Sequence, residues 1–112
     1  MWYTASAFFK GEHIASGQDT VRLWEEVLLL VEALDEEAAA SHAAELARRR
    51  EHQYTVSQPG EALRWTFVKI ERVQALEGPL TNGAEIFSRF LRPGEAESLL
   101  TPFDDDRDAE KA

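Results

Sequence analysis

Apolar and polar positions divide the chain into segments typical of strands and one segment typical of a helix. Residues 2–10 are rich in aromatic and small side chains and show no helical apolar stripe, which indicates a strand. Residues 23–33 contain five consecutive aliphatic residues, 27–31, as in a strand that is covered on both faces. Residues 11–22 lie between them and contain two glycines and several polar residues, which predicts a long loop.

A helix of about four turns is predicted after residue 35. Asp35 suits the N-cap, acidic residues follow it in the first turn, and Arg48 to Arg50 lie near the negative end of the helix dipole. A shallow apolar stripe at helical spacing would let this helix lie close to a sheet. It consists of Ala40, Ala43, Ala44, Leu46 and Ala47.

Three further strand patterns, joined by two turn signals, follow the helix and predict a meander. Pro59-Gly60 suits a type II turn, and Asn82-Gly83 is a strong hairpin signal. After the last strand, Pro93-Gly94 is expected to stop the extended chain, and a short helical turn is expected to follow. The three strand segments are 52–56, 63–76 and 84–92.

Together these elements predict an α+β fold. Its antiparallel sheet has about five strands in the order ββαβββ, with one main helix on one face and a short C-terminal helical turn. The chain has 112 residues, a length that suits a single core. We therefore expect one domain over residues 1–103, and residues 104–112 are expected to form an acidic, disordered tail.

The predicted sheet has two apolar faces and only one helix to cover them. Strand alternation places Leu63, Trp65 and Phe67 on one face and Val68 and Ile70 on the other. An uncovered face would expose an apolar patch larger than soluble monomers usually carry. We therefore expect a homodimer through the second sheet face, and a sheet that curls around its own second face is the intramolecular alternative.

Charge and composition narrow the classes of function. The net charge is -9, of which -6 belongs to residues 1–103, so we expect no nucleic-acid binding and favour a basic protein as partner. The absence of cysteine excludes disulfides and thiolate chemistry. The longest aliphatic run has five residues, and the N-terminus lacks a signal pattern, so we expect no membrane insertion and a cytoplasmic location.

No pattern in the chain indicates a catalytic, cofactor or metal site. His13, His42 and His52 lack the spacing of a helical metal pair, and no nucleophile elbow or glycine-rich phosphate loop is present. Glu25 and Glu26 point to opposite faces of a strand expected to be covered on both, so at least one of them needs a partner. The candidates in later strands are Arg64, Arg89 and Arg92. Such a pair either binds a ligand or is a structural ion pair.

Several short motifs spread over residues 1–103 form a distinctive set. They are Trp2-Tyr3, Leu23-Trp24-Glu25-Glu26, Ala33 with Glu37-Ala38, Tyr54, Gly60-Glu61, Trp65-Thr66-Phe67-Val68 and Glu85-Ile86-Phe87-Ser88-Arg89-Phe90. This set resembles a bacterial family catalogued as domain of unknown function 4288. The chain departs from the family at Ser57-Gln58, where the family has an asparagine. The resemblance implies a compact stand-alone domain and carries no activity.

Five of the matching positions are the candidate ligand or partner-binding residues, namely Glu26, Trp65, Glu85, Ser88 and Arg89. The sequence favours a small acidic, non-enzymatic protein-binding domain of immunity or regulatory type that forms a homodimer. The alternative is a small-ligand-binding protein or enzyme. Its site would lie between helix and sheet or at the dimer interface and would use Glu26 and Arg89 as its polar pair.

Overall fold

The computed structural model describes residues 1–15, 18–55 and 61–101. Four antiparallel strands form one sheet in the spatial order β2-β1-β4-β3. We call the face covered by the main helix the first face and the opposite side the second face. The elements are β1 (Trp2–Ala15), β2 (Gln18–Glu32), α1 (Glu36–Arg48), β3 (His52–Thr55), β4 (Ala62–Ala75) and α2 (Pro93–Leu100). The predicted α+β class with an antiparallel sheet is confirmed.

The predicted five strands and the order ββαβββ are wrong in detail, because residues 84–92 form no strand. The predicted turn before them does form. Gly83 has a φ of 86°, and the Ala84 N–H donates to the Thr81 carbonyl over 3.0 Å. This turn directs the chain onto the second face of the sheet, where side chains bind the backbone of residues 84–92.

The loop predicted at 11–22 is also wrong, because most of it is strand. β1 continues to Ala15 and β2 begins at Gln18, so the two strands form one long hairpin. Pairing with a neighbouring strand has overridden the local glycine-rich composition. The hairpin between β3 and β4 is confirmed, although its predicted turn at 57–60 lies outside the described residues, as does the predicted tail at 104–112.

The helix is confirmed at both ends. An Asp35 carboxylate oxygen accepts the Ala38 N–H over 2.8 Å, and the helix runs to Arg48. Its fully buried residues are Ala39, Ala43 and Ala47, spaced four apart, so the predicted stripe was right at two positions and missed Ala39. The remaining predicted members are half-buried and flank this row.

Small residues of the sheet and of α1 pack against each other on the first face. Ala5 and Ala7 of β1 are fully buried, and together with the helix alanines they bring the α1 backbone close to the sheet. Phe9 is 2% exposed and meets Phe67 edge-to-face, with ring centroids 5.8 Å apart. Val31 of β2 completes this core.

The prediction of which β4 side chains lie on which face of the sheet is wrong at one residue. Ile70 packs in the same cluster as Trp65 and Phe67, on the first face. Two register shifts between β1 and β4 each leave an extra residue on β4, with Phe9 opposite Phe67 and Ala7 opposite Ile70. Such bulges break strict alternation, so the side chains change faces where sequence spacing does not indicate it.

The expected helical turn after Pro93 is the two-turn helix α2. Pro93 occupies its first turn, and the Arg92 N–H donates to a Glu95 carboxylate oxygen over 2.8 Å. Within the described part of the chain, α2 packs against no other helix or strand. Its Leu99 and Leu100 side chains are exposed.

Candidate interaction surface

Residues 84–92, which we call the strap, run across the second face as an extended chain, and no described strand pairs with them. The Thr4 hydroxyl donates to the Ile86 carbonyl. The Gln74 side chain binds the Ser88 backbone twice: its amide nitrogen donates to the Ser88 carbonyl, and its oxygen accepts the Ser88 N–H over 3.0 Å. Side chains of the sheet therefore replace the hydrogen bonds that a neighbouring strand would supply.

A cluster of charged residues holds the end of the strap to the sheet. Arg89 donates to Glu26 of β2, and its second terminal nitrogen lies 3.8 Å from a Glu71 carboxylate oxygen on β4. The hydroxyl of Ser6, which is fully buried, donates to the same Glu26 oxygen over 2.5 Å. Phe87 lies under the guanidinium, 4.9 Å from ring centroid to the Arg89 carbon. We call Ser6, Glu26, Glu71 and Arg89 the clamp.

The structure brings together three of the five candidate residues. Glu26 and Arg89 form the expected pair, and the Ser88 backbone is bound beside them. Glu85 lies at the start of the strap and is exposed. Trp65 lies on the first face, away from the other four. Ser6 and Glu71 completed the clamp without any sequence signal, because neither belongs to a recognisable motif.

An apolar surface remains exposed on the second face beside the clamp. Leu28 and Leu30 of β2 pair with Ser6 and Thr4, the residues beneath the strap, so they adjoin it. Phe90 is fully exposed. We call the exposed set the outer patch, and it consists of Leu28, Leu30, Ile86, Phe90 and Leu91. The sequence predicted such a second apolar surface, with Leu28 and Leu30 on one face of their strand, but Trp65 and Phe67, also expected in it, pack in the first-face core.

The outer patch adjoins an open edge of the sheet. β2 is an edge strand of 15 residues, and no other described strand pairs with its outer side. The opposite edge is better protected. β3 covers part of β4, and beyond β3 a Glu51 carboxylate oxygen accepts the Phe67 N–H over 2.9 Å. No described strand pairs with β2 along its outer side, so it is the longer of the two edges that can accept another strand.

A separate cleft of about 290 Å³ lies on the first face, past the C-terminal end of α1. The indole ring of Trp65 lies across Gly11, where an added Cβ would be 2.8 Å from the ring. A ring nitrogen of His52, Nδ1, lies 2.9 Å from the Arg50 carbonyl oxygen. The residues that line the cleft are Phe9, Glu25, Arg50, His52 and Trp65.

In the described ranges, no three His, Asp or Glu side chains group as metal ligands would. His13 instead lies 3.2 Å from a Glu61 carboxylate oxygen. In the same ranges, neither helix combines the length and apolar character needed to span a membrane.

Comparison with known proteins identifies the family. The model of a family described as Domain of unknown function (DUF4288) matches residues 2–88, which include the four strands, α1 and the first part of the strap. No curated protein and no solved structure matches the chain. Because the family model covers well over half of the chain, this protein belongs to the DUF4288 family.

Proposed function

We propose that this chain is a non-enzymatic protein-binding domain that works as a homodimer joined through the second face of its sheet. The observation that carries the proposal is the outer patch together with the open edge of β2. An apolar surface that continues into an unpaired edge strand is typical of an interaction site.

Charge supports a second copy as the occupant of this surface. A chain with a net charge of -9 repels its own copies, so a dimer contact must lie where the local charge is low. None of the five outer-patch residues is charged, and the charges beside the patch have both signs. Arg89 pairs with Glu26 and Glu71, and Arg72 lies 3.9 Å from Glu71. A basic partner would instead bind exposed carboxylates, such as those of Glu36 and Glu37.

The helix α2 supports the same occupant. A helix of eight residues is too short to be stable alone in water, so it needs a packing partner. The described part of its own chain supplies none, and Leu99 and Leu100 remain exposed. In a two-fold dimer each α2 can pack on the other copy, and this reciprocal contact closes the assembly at two chains.

Sedimentation equilibrium at micromolar concentration tests the proposal. The wild-type chain is expected to be a dimer, and Phe90→Asp is expected to be a monomer with an unchanged circular dichroism spectrum, because Phe90 is fully exposed in a single copy. Leu34→Asp is the matched control, since Leu34 is almost fully exposed outside the outer patch and should leave the dimer intact. A wild-type chain that remains monomeric would contradict the dimer and favour a basic protein as partner.

A further inference from the structure

The cleft on the first face runs across all four strands at the point where α1 ends. Strand pairing places Glu25 beside Phe9, Gly11 beside Trp65, and Trp65 beside His52. The sheet continues beyond the helix here, so its first face is open over this row. The cleft is therefore separate from the clamp and the outer patch, which lie on the opposite face.

Two oppositely charged side chains of the cleft make no ion pair with each other. Of the three consecutive arginines, Arg48 lies over the Phe67 ring and Arg49 lies 3.7 Å from Glu45. Arg50 lines the cleft, and its side chain has no partner among the described residues. Glu25 lines the cleft as well and is likewise unpaired within those ranges, in contrast to the adjacent Glu26.

The apolar part of the cleft is held in place by packing. The indole ring of Trp65 lies flat on Gly11, because this residue has no side chain. A Cβ at that position would lie 2.8 Å from the ring and clash with it. Phe9 beside it is buried. One liquid water occupies about 30 Å³, so a cleft of about 290 Å³ holds roughly ten water-sized groups. That volume suits a molecule of amino-acid size.

We propose that this cleft binds a small zwitterion, a free α-amino acid with an apolar side chain. Arg50 would bind the carboxylate, because a guanidinium offers paired donors to its two oxygens. Glu25 would bind the ammonium group, and the apolar side chain would pack on the half-buried Trp65. His52 donates from Nδ1 to the Arg50 carbonyl, so Nε2 of the neutral ring is an acceptor and would bind the ammonium group together with Glu25.

Two-dimensional NMR of the ¹⁵N-labelled full chain tests this site. L-leucine, L-methionine and L-phenylalanine are titrated separately to millimolar concentration, and the indole N–H signals of the three tryptophans are followed. At least one amino acid is expected to shift the Trp65 signal saturably while Trp2 and Trp24, which lie outside the cleft, stay unchanged. The N-acetyl and amide derivatives of the same amino acid should bind more weakly, because each lacks one charge.

Two pairs of variants connect the binding to the named side chains. Arg50→Ala and Glu25→Gln are each expected to weaken binding about tenfold or more, since each removes a charge-assisted hydrogen bond. Arg49→Ala and Glu45→Gln change the same residue types outside the cleft and should leave binding unchanged. No saturable Trp65 shift with any of the three amino acids, or equal binding by Arg50→Ala and Arg49→Ala, would overturn the proposal. Neither result depends on the dimer.

Discussion

The two faces of this sheet are covered in opposite ways. On the first face, α1 packs through alanines against Ala5 and Ala7, and Arg48 at its end lies over the Phe67 ring. On the second face, the strap is held by hydrogen bonds from Thr4 and Gln74 and by the clamp. A helix satisfies its own backbone groups, so small apolar residues suffice to hold it. An extended segment does not, so the sheet beneath it must supply polar side chains.

The two faces also differ in the side chains that they leave exposed. The helix hides its apolar stripe and presents polar residues to water. The inward-facing side chains of the strap are Phe87 and Arg89, the strap's member of the clamp. Ile86 and Phe90 therefore face outward. Where α1 covers it, the first face is therefore a closed core, whereas the second face keeps an apolar surface on the outside of its cover.

The sharpest test of the contrast compares one phenylalanine on each face. Phe9→Ala is expected to lower the free energy of unfolding by about 3–5 kcal/mol, because it removes a buried ring from the core. Phe90→Ala should leave the unfolding free energy of a single copy unchanged, since that ring is fully exposed. Urea denaturation at low protein concentration measures both. Similar losses for the two variants would refute the distinction between the faces.

A smaller effect is expected where Trp65 lies on Gly11. Gly11→Ala places a methyl group 2.8 Å from the indole ring, so the ring must shift, at a cost of about 1–3 kcal/mol. The change should also alter the fluorescence of Trp65 and weaken amino-acid binding in the cleft. Gly94→Ala is the control, because an added Cβ there meets nothing within 4 Å. Equal stability of the two variants would show that Trp65 adapts freely.

Loss of the clamp is expected to release the strap while the sheet stays folded. Arg89→Met removes the partner of Glu26 and Glu71 and should lower stability by about 1–2 kcal/mol, because these charges are only partly buried. Hydrogen exchange should accelerate at Ser88 more than in β1. Arg49→Met is the control, since its ion pair with Glu45 is exposed. Unchanged exchange at Ser88 would mean that the clamp does not hold the strap.

The smallest effect is expected from a single hydrogen-bonding side chain. Gln74→Ala removes both bonds to the Ser88 backbone and should lower stability by about 1 kcal/mol. The Ser88 amide should exchange faster, whereas Gln53→Ala on the exposed strand β3 should change neither quantity. If Gln74→Ala left the Ser88 amide protected, the Thr4 contact and the clamp alone would suffice to hold the strap.

The features that the sequence predicted correctly depend on residues that lie close together in the chain. The start of α1 depends on Asp35 and residues within one turn of it, and the start of α2 depends on Pro93. The need of a strand carboxylate for a partner pointed to Arg64, Arg89 or Arg92, and the structure pairs Glu26 with Arg89. Ser6 and Glu71 could not be predicted, since their contacts with this pair depend on how three strands align.

The cleft residues carried no usable signal for a related reason. Arg50 belongs to a run of arginines that suits the negative end of a helix, and nothing in the run distinguishes it from Arg48 or Arg49. Only the position of α1 over the sheet decides which guanidinium stacks on Phe67, which one pairs with Glu45 and which one lines the cleft.

The sequence by itself determined the fold class, the helix and its ends, and the presence of more apolar surface than one helix covers. Only the tertiary structure decided that residues 84–92 form a strap and that bulges turn Ile70 towards the first face. The physical reason is the same in both cases. Alternation along a chain indicates which neighbours share a face, but the partner of an extended backbone is chosen by residues far away in sequence.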